Sequence, residues 1–433
     1  FNDWAGRSLS DLCLMGTETR HGSYPYAGVP WFNTAFGRDG LITALACLWV
    51  NPDLARGVLT FLAYTQATRR IAGQDAEPGK IMHETRLGEM AALKEIPFGQ
   101  YYGTIDATPL FVILAGAYYQ RTADLPFLQR LWPHVERALH WIDRYGDRNG
   151  DGFVEYARRE KTGLTNQGWK DSEDSISHAD GTFAGGPVSL SEVQGYVYSA
   201  KRHAAGMARA LGNSKRAASL LLQAEALKRR FAKAFWCEGI SSYALALDGR
   251  RRACKVRASN AGHCLYTGIA TLPHAKRVAA TLTSKEMFSG WGVRTLGTGE
   301  VRYNPMSYHN GSIWPHDNAL IAAGLARYGY KESALKILTG LLDASLFVDQ
   351  HRLPELFCGF HRYPGEAPTL YPVACAPQAW ASAAVFLLLQ ICLGCSIRAP
   401  EGRILFYYPT LPESLPRVQI KNLHVGKGVV DLS

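Results

Sequence analysis

The chain has 433 residues, of which 47% are hydrophobic and 19% are charged. This composition is typical of a folded protein and excludes disordered, collagen-like and low-complexity classes. The formal net charge is +10, but the basic residues are dispersed, and the densest group, residues 250–257, contains no aromatic side chain. We therefore expect no nucleic-acid partner.

The longest apolar segment, residues 379–395, is short for a membrane span and is interrupted by Ser382 and Gln390. We interpret it as a buried helix and expect no membrane partner. The N-terminal residues also lack the basic and apolar regions of a signal peptide.

The chain contains nine cysteines, an odd number that argues against a complete disulfide framework. Cys47 and Cys264 lie inside apolar helical patterns, where a free cysteine acts as a small hydrophobic residue. Cys392 and Cys395 form one CxxC without a second pair, which indicates packing rather than a metal site. This cysteine usage predicts a reduced, cytoplasmic protein.

Apolar residues recur at helical spacing almost from end to end, while strand signals are scarce, so we predict an all-α protein. The predicted helices, in chain order, cover residues 2–14, 38–50, 53–70, 106–121, 124–145, 191–211, 214–234, 259–271, 274–288, 313–328, 331–345 and 376–394.

The predicted helices alternate in character. Those starting at 53, 124, 214, 274 and 331 carry charges along one face, as helices with a solvated outer side do. Their partners starting at 38, 106, 259, 313 and 376 are nearly uncharged after the first turn; only 191–211, with Lys201 and Arg202, fits less well. The pattern predicts an (α/α)6 toroid of twelve helices, an inner ring of six within an outer ring of six, formed by residues 1–433 as one domain.

Long connections precede the inner helices, so these connections lie together on one face of the toroid. Functional residues are most often found in such loops. We expect residues 71–105, 146–188, 289–312 and 346–374 on that face. Asp39 and Asp106 stand at inner-helix starts, where they serve either as N-caps or as ligand-binding groups.

Two of these long loops hold a carboxylate in an unusual setting. Asp171 follows Trp169 in NQGWKDSEDS (166–175), and Glu355 follows Pro354 in RLPELFCGF (352–360). A carboxyl group against aromatic surface has a raised pKa, as a general acid requires, whereas a carboxylate in a polar setting stays ionised as a base. Such a pair across a pocket is the machinery of glycoside hydrolysis.

The same loops and helix starts are rich in aromatic rings and in amide and imidazole groups. Flat apolar rings beside fixed donors and acceptors suit sugars, which have apolar faces and hydroxyl edges. We therefore predict substrate contacts from Trp31, Phe32, Arg38, Asp39, Asp106, Trp169, Lys170, Tyr308, His309, Asn310, Trp314 and Tyr371.

A series of motifs extends this interpretation across nearly the whole chain. They are PWFNTAFGRDGL (30–41), IMHETRLGE (81–89), YYGTIDATPLF (101–111), GLTNQGWKDS (163–172), YNPMSYHNGSIWPHDNALIA (303–322), LPELF (353–357) and YPVACAPQAWAS (371–382). In this order they closely resemble the catalytic domain of bacterial amylo-alpha-1,6-glucosidases. They also resemble, in outline, inverting processing-type alpha-glucosidases and, more distantly, trehalases and glucoamylases.

The resemblance implies an (α/α)6 catalytic domain, usually preceded by a β-rich domain. It implies Asp171 as general acid, Glu355 as general base, and Arg38 and Asp39 at the terminal sugar. An inverting alpha-glucosidase acting without cofactor on an oligosaccharide or glucan is therefore expected. No segment matches the transferase domain of eukaryotic debranching enzymes, so the substrate is either a branch shortened by another enzyme or a smaller glucoside.

A second motif, DRNGDGFVEY (147–156), spaces Asp147, Asn149 and Asp151 like the first half of a calcium loop, with Glu155 beyond. Arg158 stands where an EF-hand would have its last ligand. The motif is interpreted either as a structural Ca²⁺ site formed by these four residues or as an Asp- and Gly-rich turn.

Three alternatives remain open. A processing-type hydrolase would cleave a small compound such as a glucosyl-glycerate or a disaccharide. A sugar epimerase would use His309, His316 or His351 as acid and base. A non-catalytic glycan-binding toroid would require Asp171 or Glu355 to face away from the pocket.

Overall fold

The computed structural model describes residues 1–413, 415–426 and 428–433. The helices are α1 (Asn2–Met15), α2 (Gly37–Cys47), α3 (Pro52–Tyr64), α4 (Glu89–Ala92), α5 (Ala107–Thr122), α6 (Leu125–Trp141), α7 (Ser191–Ala210), α8 (Ser214–Ala234), α9 (Asn260–Thr267), α10 (Leu272–Leu282), α11 (Pro315–Arg327), α12 (Lys331–Ser345) and α13 (Ala379–Leu393). A π-helical turn, Ile142–Gly146, extends α6.

The inner ring closes on itself. Helix α2 contacts α5, which contacts α7, and contacts continue through α9, α11 and α13 back to α2. Outer helices pack against this ring, as α3 does on α2, α8 on α7 and α12 on α11. The twelve-helix all-α toroid predicted from the sequence is therefore confirmed, with the one-turn α4 as an addition.

The burial pattern explains the two rings. Every residue of α5 from Ala107 to Gly116 is buried, as expected for a helix covered on all sides. In outer helix α8, the buried residues form one stripe at helical spacing: Ala217, Leu220, Ala224, Leu227 and Phe231. Inner helix α7 is the one whose charged residues fit the pattern less well, and it buries the stem of Lys201. The Lys201 ammonium binds Asp143 and donates to the Oε1 of Gln223 at 2.6 Å.

Several helix ends differ from the prediction. Helix α3 ends at Tyr64 rather than at residue 70, and α9 ends at Thr267, followed by Gly268 with a left-handed φ of 80°. Helix α10 begins at Leu272, because Thr271 caps the N–H of His274 and Pro273 occupies the first turn. These are local cap effects that apolar periodicity does not report.

The described strands form five short antiparallel pairs rather than a larger sheet. The pairs are β1 (Gly16–Thr19) with β2 (Gly22–Pro25), β3 (Ser189–Leu190) with β6 (Ala246–Leu247), β4 (Trp236–Cys237) with β5 (Ser242–Tyr243), β7 (Cys395–Arg398) with β8 (Arg403–Phe406), and β9 (Ile420–Val425) with β10 (Gly428–Leu432).

The four long loops meet at the N-terminal ends of the inner helices, as predicted. Single bridges tie Phe36 to Glu84 and Ile313 to Phe357, and the ammonium of Lys170 reaches the carbonyl of Thr295. In the described part of the chain, no helix is both long and apolar enough to cross a membrane.

Candidate active site

A cavity opens at the mouth of the toroid, where the long loops cover the inner helices. Its volume is about 120 Å³. First-turn residues of α2 and α13 and the residue preceding α11 contribute to its wall. The lining residues are Phe32, Phe36, Arg38, Asp39, His83, Glu84, Leu164, Trp169, Asp171, Tyr308, His309, Trp314, Glu355 and Trp380.

Arg38 connects the first turn of α2 to the loop that carries Asp171. Its guanidinium donates to Asp171 Oδ2 at 2.8 Å, to Asp106 Oδ2 at 3.2 Å and to the carbonyl of Gly168 at 2.9 Å. Asp106 precedes α5, but its side chain makes no capping hydrogen bond. Burial raises the pKa of Asp171, and Arg38 opposes that rise, so Arg38 both orients this carboxyl group and limits its proton affinity.

Glu355 lies on the opposite loop and is almost completely buried. The Tyr308 hydroxyl donates to its Oε1 at 2.5 Å, and the Cys375 N–H donates to its Oε2 at 3.1 Å. Burial raises the pKa of Glu355 to about 7, although both donors favour the charged form. The carboxyl group is therefore held in one orientation, with a pKa well above that of an exposed glutamate.

Two further carboxyl groups line the cavity. Burial raises the pKa of Asp39 to about 7 against the attraction of Arg38, and its Oδ1 has no protein partner in the described structure. Burial also raises the pKa of Glu84 to about 7, while Arg86 donates to its Oε2 at 2.6 Å. Asp39 thus has an acceptor free for a ligand hydroxyl group.

Aromatic rings close the inner part of the cavity. Trp169 packs edge-on against Trp314 at 5.8 Å, and Trp314 packs edge-on against Trp380 at 5.9 Å. His309 stacks on Trp314, and its Nδ1 is 2.8 Å from the Ser172 hydroxyl. Burial holds the pKa of His309 well below its usual value, so this ring is neutral.

The structure brings together most of the predicted contacts. Asp171, Glu355 and seven predicted substrate-binding residues line the cavity: Phe32, Arg38, Asp39, Trp169, Tyr308, His309 and Trp314. Two predicted contacts are not among the lining residues: Trp31, which precedes Phe32 in the chain, and Tyr371, which packs against Tyr308 at 5.7 Å.

Three predicted contacts lie behind the wall. Asp106 is completely buried beneath Arg38. Lys170 points away from the cavity toward Thr295, because its ammonium donates to that carbonyl at 2.6 Å. Asn310 joins two loops through hydrogen bonds to Asp174.

The residue-level predictions omitted five residues of the wall. They are Phe36, His83, Glu84, Leu164 and Trp380. His83 and Glu84 belong to IMHETRLGE and Trp380 to YPVACAPQAWAS, so the motifs were a signal that could have identified them. Phe36 immediately precedes α2, and Leu164 lies in an irregular loop without a distinguishing pattern.

An arginine from a distant segment, Arg251, packs into the possible calcium loop. The guanidinium of Arg251 pairs with Asp151, donates to Asn149 Oδ1 at 3.0 Å and lies 3.6 Å from Glu155. Asp147 accepts the N–H groups of Gly150 and Gly152, as in a turn. No group of three or more His, Cys, Asp or Glu side chains in the described residues is arranged to hold a metal ion, and the choice between a Ca²⁺ site and a turn stays a prediction.

The histidines of the epimerase alternative are scattered. Of His309, His316 and His351, His309 alone is among the residues that line the cavity. His316 is buried and stacks on Trp380 at 3.6 Å, and His351 binds the carbonyl of Ser345 on the far side of its loop. Four carboxyl groups face the cavity, and such groups suit acid and base chemistry on a glycosidic bond.

The sequence matches a family model described as the mannosylglycerate hydrolase MGH1-like glycoside hydrolase domain over residues 38–355. This range includes both Arg38 and Glu355. No curated protein sequence matches the chain significantly. The match confirms the glycosidase class implied by the sequence motifs, whereas the amylo-alpha-1,6-glucosidase subtype stays a prediction.

Solved structures share the fold. The GH63 mannosylglycerate hydrolase from Thermus thermophilus, in complex with Tris and D-glycerate, superposes with a TM-score of 0.64 at 13% identity, covering 89% of this chain and 99% of that one. Its complex with glucose gives a TM-score of 0.63 at the same identity and coverage. A protein described as a sialidase gives 0.63 at 13% identity, covering 91% of this chain and 34% of that one.

Proposed function

The chain belongs to the mannosylglycerate hydrolase MGH1-like glycoside hydrolase family, and on that premise we propose that it is an inverting alpha-glucosidase. It removes one terminal alpha-linked glucose from a short glucoside. The observation that carries this proposal is the presence of Asp171 and Glu355, from two different loops, in the wall of one cavity beside Arg38.

The surroundings of Glu355 support its role as general base. Glu355 receives two hydrogen bonds that favour its carboxylate form, as a general base needs. Burial raises the pKa of both carboxyl groups, so this shift alone does not separate the acid from the base, and the general-acid role of Asp171 rests on the resemblance of its motif. Glu355 takes a proton from water as the water oxygen bonds to the anomeric carbon; the glycosidic bond breaks, and Asp171 gives its proton to the leaving oxygen.

The cavity supports action on the end of a chain. Trp169, Trp314 and Trp380 line it and pack edge-on in series, so the cavity is closed on that side and suits the end of a substrate rather than the middle of a chain. Either an alpha-1,6-linked glucan end or a short glucoside satisfies this geometry. A processing-type activity on glucosyl-glycerate is the second candidate, favoured by the family name and by the D-glycerate bound to the Thermus enzyme.

Variants of the two carboxyl groups test the proposal. Asp171→Asn and Glu355→Gln are each expected to lower kcat on isomaltose by about 10²–10⁴-fold, because each removes one proton-transfer group. Glu366→Gln, an exposed change on the same loop as Glu355, is the matched control and should retain wild-type kcat.

Circular dichroism and the melting temperature check that each variant is folded. A folded Asp171→Asn or Glu355→Gln variant that retains more than about a tenth of wild-type kcat, measured as glucose release, would contradict the assigned roles.

A further inference from the structure

Trp169 connects the cavity wall to the interior of the protein. It lies two positions before Asp171 in the chain, lines the cavity and is itself buried. Its indole Nε1 has no hydrogen-bond partner in the described structure, so no hydrogen bond of the side chain fixes the direction of the ring. The orientation of Trp169 therefore depends on the side chains that pack against it.

One of these side chains, His263, stacks on the indole. The two ring planes are within 11° of parallel, and their centroids are 5.8 Å apart. The rings of His309, Trp314 and His316 meet Trp169 edge-on. His263 is completely buried in inner helix α9 and is not among the residues that line the cavity. It therefore supports the wall from behind.

The imidazole of His263 has a hydrogen-bond partner at each of its nitrogens. Its Nδ1 lies 2.6 Å from the Tyr196 hydroxyl of α7, and its Nε2 lies 2.6 Å from Asp317 Oδ1 of α11. Because a carboxylate only accepts hydrogen bonds, Nε2 donates to Asp317, and in the neutral ring Nδ1 then accepts from the Tyr196 hydroxyl. We call Tyr196, His263 and Asp317 the buried triad. It links three consecutive inner helices, and the imidazole cannot rotate without losing one of its two bonds.

The segment between Gly168 and Asp171 has anchors on either side of Trp169. Arg38 binds the Gly168 carbonyl and the Asp171 carboxylate, and the Lys170 ammonium donates to a main-chain carbonyl. Trp169 itself is held by the contacts of its ring. A rotation of the indole would shift the backbone next to Asp171, and a misplacement of about 1 Å can cost about 10²-fold in the rate of an enzymatic reaction.

Packing alone does not require a polar pair at this position. Burying an imidazole and a carboxylate costs desolvation free energy, and apolar side chains of similar volume often give equal or greater stability. An apolar side chain, however, has no hydrogen bonds that would fix the rotation of a ring stacked on Trp169. The polar triad thus supplies orientation that apolar packing would not supply.

We propose that the buried triad holds Trp169, and through it Asp171, in the orientation from which the acid protonates the leaving oxygen. This inference rests on the proposed glucosidase function and on the acid role of Asp171 within it. None of the three triad residues lines the cavity. They are therefore positioning residues, which act through Trp169 rather than on the substrate.

Two substrates that differ in their need for an acid test the triad. The leaving oxygen of isomaltose must be protonated as the glycosidic bond breaks, whereas fluoride leaves alpha-glucosyl fluoride with little acid assistance. Both substrates place a glucose ring in the cavity, and both need the base. The ratio of kcat/KM for isomaltose to that for the fluoride therefore reports the acid step, while a loss of folded protein lowers both values and leaves the ratio unchanged.

Tyr196→Phe removes one hydrogen bond from the triad and keeps the aromatic ring. The ratio should fall about tenfold, through kcat rather than KM, because a misplaced acid loses part of the roughly 10²–10⁴-fold that general acid catalysis supplies. Asp171→Asn, which removes the acid itself, is the reference and should lower the ratio further. Circular dichroism and the melting temperature check folding. If Tyr196→Phe does not fold, His263→Gln, which keeps a donor and an acceptor without the stacked ring, is judged by the same ratio.

A second Tyr–His–Trp group in the protein supplies the matched control. The Tyr243 hydroxyl lies 3.3 Å from His274 Nδ1, and the His274 ring stacks on Trp236 with centroids 3.8 Å apart. None of these three residues lines the cavity. Tyr243→Phe makes the same chemical change away from the cavity and should leave the ratio at its wild-type value.

The outcomes separate this inference from the proposed function. An unchanged ratio in folded Tyr196→Phe, together with a lower ratio in Asp171→Asn, would overturn the inference alone. An equal fall in Tyr243→Phe would also overturn it, because the effect would then not depend on contact with Trp169. An unchanged ratio in Asp171→Asn, or a wild-type protein that hydrolyses neither substrate, would reject the proposed function itself.

Discussion

At the scale of single residues, the cavity shows how one fold gives several carboxyl groups different properties. Asp39, Glu84 and Glu355 all have a pKa raised to about 7 by burial. Only Glu355 combines that burial with two neutral donors, from Tyr308 and from the Cys375 backbone. The pKa of Glu355 is therefore expected to change when the Tyr308 hydroxyl group is removed.

Removing that hydroxyl group gives a pH prediction. Tyr308→Phe deletes a hydrogen bond that favours the carboxylate of Glu355, so the pKa of Glu355 should rise above its value of about 7. If Glu355 acts as the ionised base, the acidic limb of the kcat/KM profile should move to higher pH, with lower activity at pH 6. A profile of kcat/KM from pH 5 to 9 measures this, and a limb unmoved or moved to lower pH would contradict the role of Tyr308.

The sequence predicted which residues belong to the site where they form part of a motif. It did not predict the direction in which their side chains point. Asp171 and Glu355 stand out in the sequence because each follows a distinctive neighbour in a long loop. Lys170 lies between Trp169 and Asp171 in the chain, yet its side chain points away from the cavity. Its ammonium donates to the carbonyl of Thr295 instead. The direction of consecutive side chains in an irregular loop depends on contacts from distant segments, which a single sequence does not reveal.

At the scale of elements, helical periodicity predicted all twelve ring helices because each ring imposes a distinct burial pattern. The inner helix α5 is buried on all sides, while α8 keeps one buried stripe. Helix ends were less predictable, since they depend on caps such as that of Thr271. The short strand pairs were not predicted, because segments of two to six residues leave little period-two signal.

The loop at residues 147–155 gives a prediction at this scale. Because Arg251 provides positive charge beside Asp151 and Glu155, chelation with EDTA should leave the melting temperature of the wild-type protein unchanged. Arg251→Ala should lower it by several degrees, since it leaves these carboxylates without their partner. Differential scanning fluorimetry measures both.

Arg250→Ala is the matched control for the loop, because Arg250 is exposed and its side chain makes no ion pair in the described structure. It should melt as the wild type does. A fall in wild-type melting temperature on chelation, restored by added Ca²⁺, would instead favour the calcium interpretation.

At the scale of the whole molecule, the toroid buries titratable groups that have opposite effects on how the stability of the folded state changes with pH. Carboxyl groups with raised pKa make the folded state less stable as pH rises from the unfolded pKa to the folded pKa, because over this interval the native state holds protons that the unfolded state has already released. Buried histidines such as His83 and His316, whose pKa is lowered by burial, act in the opposite direction as pH falls below about 6.5. A single-residue comparison separates the two effects.

Asp39→Asn isolates one carboxyl group. The unfolded pKa of aspartate is about 3.9 and its folded value here is about 7, so the wild type should lose stability relative to the variant between these values and just above 7. The melting-temperature difference, variant minus wild type, should increase from pH 5 to pH 8. A constant or decreasing difference would show that Asp39 does not titrate as described.

The central claim is that Asp171 and Glu355 hydrolyse an alpha-glucoside with inversion, and product stereochemistry tests it most directly. Inverting enzymes hold the two carboxyl groups about 6.5–9.5 Å apart so that water enters between the base and the sugar. Proton NMR of isomaltose hydrolysis in the first minutes, before mutarotation, should show beta-glucose released from the non-reducing end. Alpha-glucose released first from that end would mean retention and would contradict both assigned roles.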